Sequence, residues 1–148
     1  MMMMLAICSR MVVPYDHSNS SKKALEMAMT LAAQDEKIEV NVLMVIQPEI
    51  PAASLAMTPL LPRLELQHEG AQEIRKEIEQ KLESLPNKTR TYVLDGDPAQ
   101  VIEEFARVND ADFIVIGSRG LSGLKEMFLG SVSNHVLHKA TCPVLVVK

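Results

Sequence analysis

The sequence predicts a single α/β domain, a doubly wound five-stranded parallel sheet with helices on both faces. Three observations carry this expectation. Apolar runs of four to seven residues alternate with segments whose apolar positions recur at three- and four-residue steps, in the order β-α-β-α-β-α-β-α-β. Strict alternation favours a parallel sheet, because right-handed crossovers return the chain to the same sheet. Val40-Asn-Val-Leu-Met-Val-Ile46 is a nearly continuous β-branched run, the pattern of a strand covered on both faces. Finally, 148 residues suit one domain with one core, so residues 1–148 are taken as a single unit.

Along the chain, Met11-Val-Val-Pro14 ends in Tyr15-Asp-His-Ser-Asn-Ser-Ser21, which is dense in capping side chains and reads as strand, turn and helix start. Ala24, Leu25, Ala28, Leu31 and Ala32 then share one face of a helix ending near Ala33. After the second strand, Val40–Ile46, Pro48, Pro51, Pro59 and Pro62 remove donors and predict a long variable loop over 47–62. Ala71, Ile74, Ile78, Leu82 and Leu85, with Glu and Lys between them, mark an amphipathic helix. Arg90–Leu94 is the third strand. Asp97-Pro-Ala-Gln100 combines an N-cap, a proline at the first helical position and the return partner of a capping box, opening a helix to about Val108. Asp112–Ile116 is the fourth strand. A glycine-bearing segment leads to a helix over Ser131–Lys139 and a last strand, Val144–Val147.

Composition narrows the function. A hydrophobic share of 47% with 23% charged residues excludes disorder and fibres, and an aromatic share of 3% leaves aliphatic residues and methionine to fill the core. Met11, Met27, Met29 and Met44 are read as such filler. A net charge of −4 gives no overall pull toward nucleic acid or anionic lipid, so an anionic ligand must be held by local donors. Cys8 and Cys142 lack metal-site or redox-motif spacing and are read as ordinary thiols. The apolar start is too short to cross a membrane, and the isoleucine before Cys8 is too bulky for a lipoprotein cleavage site. A cytoplasmic location follows by elimination.

In open α/β sheets, ligands bind beyond the carboxyl ends of the strands where the strand order reverses. That rule selects Pro14-Tyr15-Asp16 after the first strand and the segment from Gly117 to Ser131 after the fourth. Glycines at 117, 120, 123 and 130 let backbone N–H groups approach a ligand, and Ser131 opens a helix whose unpaired N–H groups favour phosphate. The same glycines also suit simple turns. Their spacing matches neither the dinucleotide fingerprint nor the P-loop, and Lys125 lies too far past Gly120 to serve as a P-loop lysine. Asp16 suits a ligand contact or a helix cap. Arg119 suits a bidentate phosphate contact or a solvated loop side chain. His135 and His138 have no metal-ligand companions.

The stretch Gly117-Ser-Arg-Gly120-Leu-Ser-Gly-Leu-Lys-Glu-Met-Phe-Leu-Gly130-Ser131 resembles the G-x2-G-x9-G-(S/T) pattern of the ATP-binding branch of the universal stress protein family. The resemblance extends to Met11-Val-Val-Pro-Tyr-Asp16, Gly96-Asp-Pro98 and Thr141-Cys-Pro-Val-Leu-Val-Val147, nearly the whole chain outside 47–62. It implies a Rossmann-like sheet of strand order 3-2-1-4-5 and an adenine-nucleotide site. In that site Pro14, Tyr15 and Asp16 border adenine and ribose, and Val45 lies against the base. Gly117, Gly120, Gly130 and Ser131 contact ribose and phosphate, and Val132 and Ser133 continue the helix start. Tyr15 departs from the smaller residues common at its position, so its ring is expected either to stack on the base or to crowd it. The resemblance further implies a homodimer paired through the C-terminal edge strand.

Three functions remain open on the sequence. The first is an ATP-binding regulatory protein of the stress response, read by unidentified protein partners, its ligand carried with or without Mg²⁺ or Mn²⁺. The second is a weak ATPase or phosphotransfer enzyme, for which only Asp16 and Glu126 offer themselves. The third is a ligand-free dimeric stress protein, against which the intact glycines argue.

Overall fold

The computed structural model describes residues 8–48, 60–119 and 129–148, with side chains described from residue 67 onward in the second helix. The elements run β1 (Arg10–Pro14), α1 (Asn19–Ala32), β2 (Glu39–Ile46), α2 (Leu60–Leu82), β3 (Thr89–Asp95), α3 (Pro98–Val108), β4 (Phe113–Gly117), α4 (Ser131–Lys139) and β5 (Val144–Val147). All pairings are parallel and the strand order is β3-β2-β1-β4-β5, as expected from the sequence. The order reverses between β1 and β4, so this is where the carboxyl ends of neighbouring strands diverge into a crevice.

Two apolar layers flank the sheet. On one face Met11, Val13 and Tyr15 pack with Ala24, Leu25 and Ala28 of α1 and Ala71, Ile78 and Leu82 of α2. On the other, Val12, Leu43, Ile114 and Ile116 pack with Ile102 and Ala106 of α3 and Val136 of α4. The alternation along β1 is the two-residue period of a strand buried on both sides. Burying a side chain such as Leu25 or Ile114 contributes about 1.5–3 kcal/mol. Among the described residues no helix is long and apolar enough to cross a membrane.

Helix starts follow the capping chemistry. Ser18 caps α1 by accepting from the Ser21 N–H at 3.2 Å, and Asp16 supports that cap by accepting from the Ser18 N–H at 3.0 Å. Asp97 caps α3 by accepting from the Gln100 N–H at 3.1 Å, with Pro98 at the first helical position. Asp112 precedes β4 rather than opening it; its carboxylate accepts from the Ser9 and Arg10 N–H groups and ties down the start of β1.

Two expectations need correction. The 47–62 loop is shorter than its prolines suggest, because α2 begins at Leu60 and carries Pro62 in its first turn, where a helix has no N–H bond to lose. Residues 49–59 lie outside the described residues. Met27 is not core filler: it is 41% exposed on α1, whereas Met11 and Met44 are buried and Met29 packs at the core margin.

Candidate functional site

A cavity of about 220 Å³ opens at the carboxyl ends of β1, β2 and β4. Pro14, Tyr15, Asp16, Val45, Gly117, Arg119, Gly130, Ser131, Val132 and Ser133 all line it. Gly120, with Gly123, Lys125 and Glu126, lies outside the described residues. Leu43, Ile102 and Ile116 form an apolar wall that the site reading of the sequence did not name, together with Ser21 and Pro98. A signal for each existed. Leu43 shares a strand face with Val45, Ile116 precedes Gly117, and Ile102 stands one helical turn after Pro98. Gly96 sets that last wall: its φ of +141° is available to glycine, and its N–H bonds the Ile46 carbonyl at 3.0 Å as the chain turns toward Pro98.

At the β2 end the cavity offers unpaired backbone. Successive residues of a parallel strand turn their N–H and C=O groups to alternate neighbours. The Val40 N–H bonds Lys88 and the Ile46 carbonyl accepts from Gly96, both on the β3 side, while the Leu43 carbonyl accepts from the Tyr15 N–H on the β1 side. Val45 has the parity of Leu43, but β1 has already ended at Pro14. Its N–H and C=O therefore face the crevice, and among the described residues neither has a backbone partner. The Val45 side chain is also only half-buried, while its neighbours Met44 and Ile46 are buried.

At the opposite end lies the start of α4. Gly130 occupies the N-cap without a side-chain bond, and the first intrahelical bond runs from the Asn134 N–H to the Gly130 carbonyl. The N–H groups of Ser131, Val132 and Ser133 thus have no intrahelical acceptor, and the helix dipole adds partial positive charge there. The Ser133 hydroxyl is committed elsewhere: it donates to the carbonyls of Ser118 and Gly130, both at 3.1 Å. Ser133 therefore secures the helix start and offers the cavity its backbone rather than its hydroxyl.

Gly117 has a packing role as well as a place in the cavity wall. A Cβ on it would stand 2.6 Å from Ser20 Oγ, 2.7 Å from the Ser20 carbonyl carbon and 2.8 Å from the Ser21 nitrogen. The missing side chain lets the N-terminus of α1 close onto the end of β4. Arg119 follows, exposed at the rim. Its backbone N–H is taken by Ser20 Oγ at 3.2 Å, so it is not an open donor for an anion. Its guanidinium has no hydrogen-bond or ion-pair partner among the described residues.

Tyr15 reaches the cavity from the end of β1, yet its ring belongs to the α1–α2 layer. It is 7% exposed and packs near the His17 ring, with centroids 6.0 Å apart. The ring thus lies on the α1–α2 side of the sheet, and the apolar wall of Leu43, Ile102 and Ile116 on the α3–α4 side. Burial, then the Glu77 and Asp16 carboxylates, push its pKa up, so it stays a neutral hydroxyl. His17 has a left-handed φ of 66° in this turn and stands 3.7 Å from Glu77 of α2. Among the described residues no group of three or more His, Cys, Asp or Glu could hold a metal ion.

Comparison with known proteins gives a consistent result. The profile of the universal stress protein family matches residues 8–148. Universal stress protein YxiE of Bacillus subtilis is 37% identical over 147 residues, covering 95% of this chain and 99% of that protein. The solved structure of MJ0577 from Methanocaldococcus jannaschii superposes with a TM-score of 0.86 at 28% identity, covering 96% of each chain. The universal stress protein from Archaeoglobus fulgidus, solved in complex with dAMP, superposes with a TM-score of 0.69 at 23% identity, covering 96% of this chain and 99% of that one, and this likeness speaks to the fold alone. A profile match over nearly the whole chain and a full-length relative at this identity establish that the chain belongs to the universal stress protein family.

Proposed function

We propose that the cavity binds an adenine nucleotide, ATP foremost, and that the protein is a nucleotide-dependent regulatory protein of the stress response. One observation carries the reading: the two ends of a single cavity have complementary chemistry. An apolar wall beside an unpaired donor and acceptor on Val45 suits a flat base with its own donor and acceptor edge. The open N-terminus of α4 and the unpartnered Arg119 suit phosphates, and neutral donors suffice in a chain of net charge −4. The Archaeoglobus fulgidus protein solved with dAMP is itself a universal stress protein, and it is this shared family that supports the same ligand class. Asp16 is the one carboxylate among the cavity's described residues. A Mg²⁺ or Mn²⁺ ion would accordingly be held largely by the phosphates it accompanies.

Two measurements test this. Mass spectrometry of the small molecule released when purified protein is denatured is expected to find an adenine nucleotide. Added ATP at about 100 times its dissociation constant is expected to raise native stability by roughly 2.7 kcal/mol. No thermal shift with any adenine nucleotide would overturn the reading in favour of a ligand-free stress protein.

The proposed assembly is a homodimer through β5. The Pro143 and Val147 carbonyls accept from Ile114 and Ser118, so the odd-numbered residues of β5 face β4, and Val144 and Val146 turn their N–H and C=O groups to the open edge. All four β5 side chains are half-buried, consistent with further cover. Sedimentation velocity at tens of micromolar is expected to show a dimer that Val146→Lys shifts toward monomer; a monomeric unmodified protein refutes it. Free Cys8 and Cys142 fit a reducing, cytoplasmic location.

A further inference from the structure

We infer that Ser20 is a positioning residue for phosphate recognition: its hydroxyl clamps the backbone of Arg119 and so fixes the point on the cavity rim from which the guanidinium reaches. The inference rests on the nucleotide reading above and deepens it, because it assigns the phosphate selectivity of the site to a residue outside the cavity lining.

The geometry is that of a side chain completing a strand pairing. The single hydroxyl of Ser20 donates to the Arg119 carbonyl and accepts from the Arg119 N–H at 3.2 Å, using both capacities of a serine on one residue. Ser18 adds a second bond to the same carbonyl, at 3.2 Å, while its oxygen caps α1 through the Ser21 N–H. Gly117 makes the clamp possible, since a Cβ there would collide with Ser20 itself. One residue earlier, the Ser118 carbonyl accepts from the Gly130 N–H at 2.7 Å and from the Ser133 hydroxyl at 3.1 Å. Arg119 is therefore held from α1, and the start of α4 is held from Ser118. The two groups suited to phosphate are fixed relative to each other by backbone bonds.

The two serines are separable by experiment. Ser18 is the helix cap, so its removal would also weaken α1. Ser20 sits past the cap, half-exposed, with its hydroxyl devoted to Arg119. Ser20→Ala frees the Arg119 N–H and leaves its carbonyl on Ser18 alone, without removing any atom from the cavity. Losing the clamp is expected to lower ATP affinity about three- to tenfold, while adenosine affinity changes by less than about twofold. Ser20→Thr, which keeps the hydroxyl, is expected to restore the ATP-to-adenosine affinity ratio.

Isothermal titration of ATP and adenosine into the wild type, Ser20→Ala, Ser20→Thr, Arg119→Gln and the Ser20→Ala/Arg119→Gln double variant decides the matter. Positioning requires non-additivity: once the guanidinium is gone, Ser20→Ala costs no further ATP affinity. Equal losses for ATP and adenosine, additive losses in the double variant, or an unchanged ratio in Ser20→Ala would each overturn the inference. If Ser20→Ala loosens the fold, as thermal melting would reveal, Ser20→Cys keeps the volume, weakens the donor and carries the same expectation. Failure of the wild type to bind either ligand would instead overturn the nucleotide reading, and this inference with it.

Discussion

Gly117 and Gly70 are both glycines inside regular elements, and replacing each with alanine is expected to move stability in opposite directions. At Gly117 the new Cβ meets backbone: 2.7 Å to the Ser20 carbonyl carbon and 2.8 Å to the Ser21 nitrogen, besides 2.6 Å to Ser20 Oγ. Backbone cannot rotate away as a flexible side chain can. Restoring ordinary contact requires the first turn of α1 to withdraw by roughly 0.6–0.8 Å, in an interior packed as densely as an organic crystal. Such overpacking costs about 1–3 kcal/mol. Stiffening the unfolded chain offsets about 0.4–1 kcal/mol of that. The net loss of about 1–2 kcal/mol lowers the melting temperature by about 2–8 °C in a domain of this size. Gly70, by contrast, lies exposed in α2 with nothing within 4 Å of its notional Cβ. Alanine there removes the entropic penalty of a helical glycine and raises stability by about 0.5–1 kcal/mol. Scanning calorimetry on the two variants and the wild type reads both effects. Equal or raised stability in Gly117→Ala would refute the claim that α1 depends on this missing side chain.

Three further outcomes are expected. Asn87 donates to the carbonyls of Ala32, Asp35 and Ile38 at 2.8–3.0 Å, stapling the end of α1 and the following turn to the start of β3. Asn87→Ala strands those acceptors and costs about 1–3 kcal/mol in urea denaturation, and an unchanged midpoint would contradict this. Burial, reinforced by the Asp112 carboxylate, pushes the Cys8 thiol up to about 11 from its ordinary value of 9.0, so the native state holds this proton longer than the unfolded chain does. Its contribution to stability is thus fully present below pH 9 and lost as pH rises toward 11, and Cys8→Ala should flatten that part of the stability profile. Gly130→Val places a branched side chain at the open end of α4, and calorimetry on folded protein should show loss of ATP binding; unchanged affinity would make Gly130 a turn former only.

How much was legible in the sequence depended on whether a feature is local. Strand runs such as Val40–Ile46 and the spacing of Ala71, Ile78 and Leu82 reflect burial directly, so the elements and their parallel order could be read from them. The start of α2 could not, because four prolines mask the fact that Pro62 falls in a first turn, where proline is tolerated. The site was legible where the motif is made of backbone and glycine, and less so where a side chain has to choose a face. Tyr15 illustrates the second case: strand parity sends its ring toward α1 and α2, but the turn after Pro14 hides that parity from the sequence. The Ser20 clamp was not legible at all. Its partner is 99 residues away, and only the fold brings α1 against the end of β4.

The proposed dimer and the proposed nucleotide site meet at Ser118. Its N–H donates to the Val147 carbonyl at 2.8 Å, locking the last residue of the edge strand, and its carbonyl accepts from Gly130 at the start of α4. Both of its backbone groups are thus committed, one to the edge strand and one to the α4 end of the cavity. Pairing at β5 would limit the motion of Val147 and, through Ser118, of Gly130 and Arg119. A ligand that favours one arrangement of these residues is then expected to favour one state of assembly, and any such coupling is reciprocal. ATP is expected to tighten the dimer, and Val146→Lys to weaken ATP binding at each site by the square root of that factor, because a dimer carries two sites, although Val146 does not line the cavity. Sedimentation equilibrium with and without ATP gives one side of this cycle, and titration of ATP into the wild type and Val146→Lys gives the other. A dimer whose dissociation constant ignores ATP would show that Ser118 joins the two regions structurally without coupling them.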